Sequence, residues 1–349
     1  MIEFEPWSTN TFKESLENYN HGQFTILDIE VGGDCSLSCV YCDTPDRSTK
    51  AEINFASLEN FCAQATFKWL FICGLGEPLS EKNYEHFINY LKIAEKYQIK
   101  CSIFSNVLNL NDEVLDFVKK GILFVIFKFD SIKKSNIEKI YGTNNAEKII
   151  ENIEKLVNLV QINNNQTNLA ASIVPTKMNS KDIYDVVDFC YKNKVFPLIG
   201  ELENCRIPKD LFEFLSVDEQ TLLEIKSYIS NKYNDEYKIP ICPSVISGIH
   251  IDNKSNIIVD ERTGLSCHWF WLETPKSHTI KQFSNKTIYS EIIDSIKFYR
   301  KQKIKEIQNI ITNCSKRVFG GCGGNITELL NIYLALETTS KGENNENSI

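Results

Sequence analysis

Nothing in the 349-residue sequence approaches the roughly 20 consecutive apolar residues that a membrane-spanning helix needs. The strongest apolar run, Gly121 to Phe127, has the length of a strand. The N-terminus, Met-Ile-Glu-Phe-Glu-Pro-Trp, is acidic and lacks the basic and apolar regions of a secretory signal. An excess of positive charge is missing too: 38 Lys and Arg stand against 46 Asp and Glu, a net charge of −8. A nucleic-acid binder is expected to carry a basic face, so nucleic acid is disfavoured as the main partner, as is a membrane. No repeat recurs at solenoid spacing. These absences leave a globular chain expected in the cytoplasm. Its apolar share of 42% and charged share of 24% are those of ordinary folded proteins, which excludes a largely disordered or fibrous chain. The length allows two domains, or one barrel with an appendage.

Cysteine is what the sequence has in quantity. Twelve cysteines in a reducing compartment are not expected to pair as disulfides. They point to metal or redox chemistry wherever their spacing agrees.

Hydrophobic patterning places the elements. Phe24 to Gly32 is a β-branched run and reads as a first strand. Ser57 to Ala65 suits a helix, and Trp69 to Cys73 a second strand broken by Gly74 and Gly76. Ser80 is placed to cap a helix running to about Tyr97. Cys101 to Phe104 reads as a third strand. Asn111 opens a short helix with Val114, Leu115 and Val118 on its apolar face, stopped by Gly121. Ile122 to Phe129 is a fourth strand. Asn144 with Glu147 has the form of a capping box, opening a helix with Ile149, Ile150, Ile153, Val157 and Val160 on one face. A strand from Leu169 to Val174, a helix from Lys181 to Lys192 and a strand from Val195 to Ile199 complete six β-α units. Such alternation predicts an α/β fold with a parallel sheet and helices outside. Periodicity alone leaves two forms open, an open doubly wound sheet or a partial barrel.

The alternation stops near Ile207-Pro208. A barrel over residues 1–206 and a smaller, irregular α+β domain over 207–337 are therefore expected, followed by a polar tail, 338–349, that reads as disordered. The second region should hold a helix near Glu219 to Ser230 and a hairpin of Ile246 to Ile251 and Ile257 to Val259. A helix from Glu291 to Lys303 and a last one from Ile326 to Leu336 follow.

The sharpest motif is Cys35-Ser-Leu-Ser-Cys39-Val-Tyr-Cys42, three thiols within one loop directly after the first strand. Thiolates are the soft ligands that iron–sulfur clusters prefer, and a loop can wrap a compact centre. Three ligands leave one iron of a [4Fe–4S] cluster open to a small molecule. The bland readings are chance or zinc. A structural zinc site wants four ligands, and the nearest further cysteine, Cys62, falls in a predicted helix.

This C-x3-C-x2-C spacing after a first strand resembles the radical S-adenosylmethionine (SAM) superfamily. Tyr41, just before the third cysteine, matches that family's usual aromatic, which packs near the adenine. Gly74-Leu-Gly-Glu-Pro78 is similar to its GGEP motif, with Leu75 intervening and Gly76-Glu77-Pro78 as the matching core. A backbone edge or carboxylate there would hold the methionine ammonium. Ser105 and Asn106 at the end of the third strand suit ribose hydroxyls, and Lys128 and Asp130 at the end of the fourth suit polar contacts to the cofactor. The resemblance covers about Phe24 to Glu203 and implies a partial (β/α)6 barrel with its site at the C-terminal strand ends.

Cys242, Cys267, Cys314 and Cys322 form a second, looser group, which resembles the SPASM/twitch extensions that carry an auxiliary [4Fe–4S] cluster. Its C-x7-C spacing departs from the usual pattern, and buried free thiols are the alternative. Cys205, just past the sixth strand, is a candidate hydrogen-atom donor, an auxiliary ligand, or neither. Cys62, Cys73, Cys101 and Cys190 read as core.

The resemblance implies that reductive cleavage of SAM produces a 5′-deoxyadenosyl radical, which abstracts hydrogen from substrate. The first reading is an oxidative modification or crosslink in a ribosomally made peptide. The second is dehydrogenation or epimerisation of a small molecule such as a sugar or cyclitol. A non-catalytic iron–sulfur or zinc protein is the third. The implied partners are the substrate and an electron donor such as flavodoxin or ferredoxin. The segment ahead of Phe24 is shorter than the winged-helix leader-binding domain that many peptide-modifying relatives carry.

Overall fold

The computed structural model describes residues 2–42, 48–74, 76–163, 169–202, 207–234, 237, 242–260, 266, 277–301 and 318–319. A helix, α1 (Thr9–Asn20), precedes six parallel strands: β1 (Ile26–Val31), β2 (Trp69–Gly74), β3 (Lys100–Ser105), β4 (Leu123–Lys128), β5 (Ala170–Ile173) and β6 (Phe196–Ile199). The connections carry α2 (Phe55–Gln64), α3 (Tyr84–Tyr97), α4 (Asp112–Lys119), α5 (Lys134–Tyr141), α6 (Ala146–Asn163) and α7 (Ile183–Asn193).

The six strands lie side by side in chain order. A doubly wound sheet reverses its order at a switch point. An unreversed order, with right-handed crossovers, puts every helix on one face and leaves the other to form a lumen. The fold is therefore the α/β partial-barrel arrangement, and the doubly wound alternative falls. Register sorts the two faces. Leu27, Ile29, Leu70, Ile72, Cys101 and Ile103 point one way and are buried. Asp28, Phe71, Ser102 and Phe124 point the other way. The lower end of that inner face is plugged by the N-terminal segment. Phe4 packs on Phe124 with ring centroids 6.3 Å apart, Trp7 lies 5.6 Å from Phe104, and Lys100 pairs with Glu5 at 2.5 Å.

Several local expectations are met and others corrected. Asn111 caps α4 by accepting from Val114 N at 3.0 Å, and Gly121, at φ +73°, follows its end. Ser80 does not cap α3, which begins four residues later. Asn83 precedes that helix, and its amide is spent on Gly32 O (2.9 Å) and Glu77 O (3.0 Å). The Asn144 capping box does not form. Ile149 N bonds to Asn145 O, and Glu147 turns outward to Lys134 at 2.8 Å, because an opposite charge on the neighbouring helix was available. Helices α1 and α5 were not expected.

The region after 207 holds α8 (Lys209–Leu215), α9 (Glu219–Tyr233), α10 (Ser244–Ser247), β7 (Gly248–Ile251), β8 (Asn256–Asp260), β9 (Ser277–Gln282) and α11 (Tyr289–Lys301). Its expected hairpin exists but does not stand apart. β7 pairs in parallel with β1, from Ile26↔Gly248 to Ile29↔Ile251, and β8 and β9 follow antiparallel, making nine strands in one sheet. Without β7, β1 would be an open edge with a row of unpaired backbone groups. A wholly buried pair, His250 Nε2 to Glu30 Oε1 at 3.0 Å, fastens the seam. The opposite edge is closed differently. The Tyr237 hydroxyl donates to Pro197 O (3.0 Å) and accepts from Ile199 N (3.1 Å), standing in for a next strand beside β6. The expected helix at 326–336 and the tail lie outside the described residues.

Candidate active site at the strand ends

The cysteine loop leaves β1 through Gly32, where an added Cβ would sit 2.5 Å from Thr49 O. Cys35 and Cys39 are half-buried and Cys42 is exposed. The loop is held by the last turn of α5: Ser38 N donates to Tyr141 O and Val40 N to Ile140 O, both at 2.9 Å. Those carbonyls are among the four a helix end leaves unsatisfied. Gly142 then ends α5 in the left-handed region at φ +56°, and a Cβ there would lie 2.6 Å from Ser38 O. Two donors reach the Cys35 sulfur, Leu37 N at 3.5 Å and Asn106 Nδ2 at 3.8 Å. Burial pushes the Cys39 thiol up to about 11, Lys128 opposes this, and Cys42 and Cys35 add to it, so the three sulfurs share one electrostatic neighbourhood.

The glycine motif packs against this loop. A Cβ on Gly76 would collide with Gly32 O and Asp34 O, so only glycine lets the β2 end approach the β1 end this closely. Glu77 N donates to Asp34 O at 2.8 Å. The Glu77 carboxylate is 4% exposed and points inward. One oxygen accepts from Leu79 N (3.0 Å) and Ser105 Oγ (2.6 Å), the other from Asn106 N (2.7 Å). Burial raises its pKa against the pull of these donors. Ser105 also accepts from Val107 N (2.9 Å), and Asn106 Oδ1 from Leu108 N (2.9 Å). Of the two groups expected here, a backbone edge or a carboxylate, the carboxylate is committed to joining β2 to β3, and the backbone edge at Gly76 is not.

Tyr41, Lys128 and Asp130 come together as a third group. The Tyr41 hydroxyl donates to Asp130 Oδ2 and accepts from Lys128 Nζ. Lys128 also lies 3.4 Å from Asp130 and 4.3 Å from the centroid of the Tyr41 ring, a cation–π contact. Asp130 is fully buried; its other oxygen accepts from Val174 N at 2.7 Å, and its own N–H reaches the Tyr141 hydroxyl at 2.9 Å. Burial works against the Lys128 charge, but Asp130 and the Cys39 and Cys42 thiols outweigh it and hold the ammonium above its usual range. Burial, then Asp130, push both Tyr41 and Tyr141 well above the ordinary phenol range, so both keep their protons.

Cys35, Cys39, Cys42, Tyr41, Gly76, Glu77, Ser105, Asn106 and Lys128 therefore converge on one end of the sheet. The second cysteine group is not assembled among the described residues. Cys242 is buried in the core at 7% exposure, while Cys267, Cys314, Cys322 and Cys205 lie outside them. Cys62, Cys101 and Cys190 are core, as expected, and burial raises all three thiols. Cys73 differs: it is half-buried at the β2 end. Sequence reasoning missed Tyr141, Gly142 and Asn83, which position the site without belonging to any motif. Gly142 alone had a signal, as a glycine ending a helix.

Among the described residues no three His, Cys, Asp or Glu side chains converge on the position of a single metal ion. A cluster asks each thiolate for a different iron, so three cysteines on one loop fit a cluster rather than a mononuclear site.

A barrel that gathers its polar and thiol side chains at its C-terminal strand ends has the architecture of an enzyme. Residues 29–190 match the Radical SAM superfamily model, so the chain carries a Radical SAM domain and is an enzyme; that family implies a [4Fe–4S] cluster and SAM. It is similar to Streptococcus suis SuiB bound to precursor peptide SuiA, with 16% identity, TM-score 0.58 and coverage of 81% of this chain and 68% of that one. It is also similar to anSMEcpe with bound AdoMet, with 12% identity, TM-score 0.58 and coverage of 86% and 88%. At those identities the likeness shows the fold. A curated relative, GTP 3′,8-cyclase of Clostridium botulinum (strain Okra / Type B1), is 26% identical over 227 residues, 61% of this chain. The chain spans 63% of that relative's length.

Proposed function

We propose that this radical SAM enzyme carries out an oxidative modification or crosslink in a ribosomally made peptide. In this reading Cys35, Cys39 and Cys42 ligate the cluster that engages SAM. The bound cluster and SAM supply one-electron hydrogen-atom abstraction. The chain's own residues shape the place where that happens. Asn106 Nδ2 and Leu37 N aim at the Cys35 sulfur, the kind of contact that tunes a cluster's potential. The backbone edge at Gly76 takes the methionine ammonium, and Glu77, Ser105 and Asn106 keep that edge in position. Tyr41 offers its ring to the adenine, while Lys128 and Asp130 fix its hydroxyl. Cys242, Cys267, Cys314 and Cys322 hold an auxiliary [4Fe–4S] cluster, and Cys205 serves as a hydrogen-atom donor. The electron donor is a flavodoxin or ferredoxin, and the setting is the cytoplasm.

The observation that carries the peptide reading is the reach of the likeness. It extends over 81% of the chain to SuiB bound to SuiA and 86% to anSMEcpe bound to the Cp18Cys peptide, well past the 29–190 domain. The second reading, chemistry on a small molecule, is favoured by the match to GTP 3′,8-cyclase. Anaerobic reconstitution followed by reduction with dithionite separates them. Short peptides encoded beside the gene should raise 5′-deoxyadenosine formation and lose two hydrogens by mass spectrometry; stimulation by GTP or a sugar alone would sink the peptide reading. Two clusters predict about eight irons per chain, falling to about four in the Cys35/Cys39/Cys42→Ala variant.

A further inference from the structure

The inner face of the sheet is layered. One layer is Glu30, Cys73, Phe104, Ile126, Ala170 and Phe196, set by the registers of β1 to β6. Lys128, Ser172 and Leu198 form the layer above it, toward the strand ends. In the first layer Ile126 and Ala170 are 1% and 0% exposed, yet Phe104 between Cys73 and Ile126 is 40% exposed. A large aromatic left open at the centre of a sheet needs an occupant above it. Across the lumen the wall is cut back. Gly200 continues β6, its N–H bonding to Ile173 O at 2.9 Å, and strand alternation puts its missing side chain on the same inner face as Phe196 and Leu198. A Cβ built there meets no described residue within 4 Å, and its φ does not demand glycine.

The described charges around this space, Glu30 and Lys128, are committed. Glu30 is fully buried and engaged by His250 Nε2 and Asn253 N, both at 3.0 Å. Lys128 is held by Asp130 and Tyr41. Among the described residues, what faces the opening is an aromatic ring resting on Trp7, a half-buried thiol, a serine and a bare glycine. Such a lining rewards apolar area and returns nothing for the desolvation of a charge.

We propose that Phe104 and Gly200 form a substrate subsite that accepts an uncharged aromatic or aliphatic side chain, with Phe104 as its floor and Gly200 as the gap that admits it. This rests on the peptide reading and names the kind of residue that reading would present. Because Lys128, in the layer directly above, reaches Tyr41 of the cysteine loop, a side chain seated on Phe104 lies beside the proposed cofactor site.

The test uses saturation-transfer NMR on the anaerobically reconstituted holoenzyme. The probes are N-acetyl-phenylalaninamide, N-acetyl-leucinamide, N-acetyl-aspartamide and GTP. The first two should receive saturation and the last two should not. Gly200→Leu, which fills open space without straining the backbone, should weaken both apolar probes by about tenfold or more. Phe104→Ala should weaken the phenylalanine probe more than the leucine one. Iron content and SAM affinity report that each variant is folded. Apolar probes that bind equally to wild type and Gly200→Leu would overturn the subsite while leaving the peptide reading intact. Saturation of GTP alone would overturn both, and saturation of no probe would overturn the subsite.

Discussion

Lys128 Nζ and the Tyr41 ring stack at 4.3 Å, and the same ammonium donates to the Tyr41 hydroxyl, so a residue at the end of β4 grips the middle of the cysteine loop from two directions. Both contacts converge on Asp130, a fully buried carboxylate. Removing the cation should cost more than removing the hydroxyl, because it takes from buried Asp130 the positive charge that balances it, whereas the hydroxyl is one neutral donor. Lys128→Met is expected to lose about 3 kcal/mol of stability, and Tyr41→Phe about 1 kcal/mol. Urea unfolding checks the order; equal losses would show that Asp130 does not depend on the ammonium.

Gly142 should matter to iron although it ligates nothing. Its backbone is left-handed, and a Cβ would press on Ser38 O between two of the cysteines. Gly142→Ala is expected to cost about 1–2 kcal/mol from the backbone conformation alone. It should also lower the iron retained after reconstitution and desalting. Unchanged iron retention would mean that the loop tolerates displacement from α5.

The Glu77 carboxylate accepts three hydrogen bonds. In Glu77→Gln the new amide must turn one N–H pair toward existing donors. The expected loss is about 1–3 kcal/mol, with SAM binding weakened because the Gly76 edge shifts with it. Calorimetric titration of SAM into the reconstituted variant tests this. Wild-type affinity would separate the carboxylate from the cofactor site.

A fourth expectation concerns pH. Asp182, 2% exposed, accepts from Ser131 Oγ, Lys133 Nζ and Asn136 Nδ2, each at 2.5 Å, and so anchors the start of α5, whose other end holds the cysteine loop. Burial acts to raise its pKa, but Lys133, Ser131 and Asn136 prevail and lower it. A lowered folded-state value means a stabilisation fully present above the unfolded pKa of about 3.9 and lost as pH falls through the folded value. Asp182→Asn should therefore be less stable than wild type at neutral pH, with the gap narrowing in acid. A constant gap from pH 7 to acid would exclude ionisation as its source.

Sequence alone determined the elements whose cause is local. Alternating β-branched runs and amphipathic stretches marked six β-α units, because period and propensity act over a few residues. Three cysteines in one loop, and the Gly76-Glu77-Pro78 turn, carried their chemistry in their own spacing. Asn111 and Gly121 bounded α4 as capping rules require.

Tertiary structure decided what depends on distant partners. That the hairpin after Gly248 would join β1 could not be read from its own residues, since what drives it is the open edge of a strand more than 200 positions earlier. The roles of Asn83 and Tyr141 are likewise invisible locally, because each is defined by the backbone it touches across the barrel end. Glu77 shows the division within one residue. Its motif marked the place, but only packing decided that its carboxylate would face Ser105 and Asn106. A buried carboxylate takes whichever donors the neighbouring strand brings within reach, and the approach of two strand ends is set by the whole sheet.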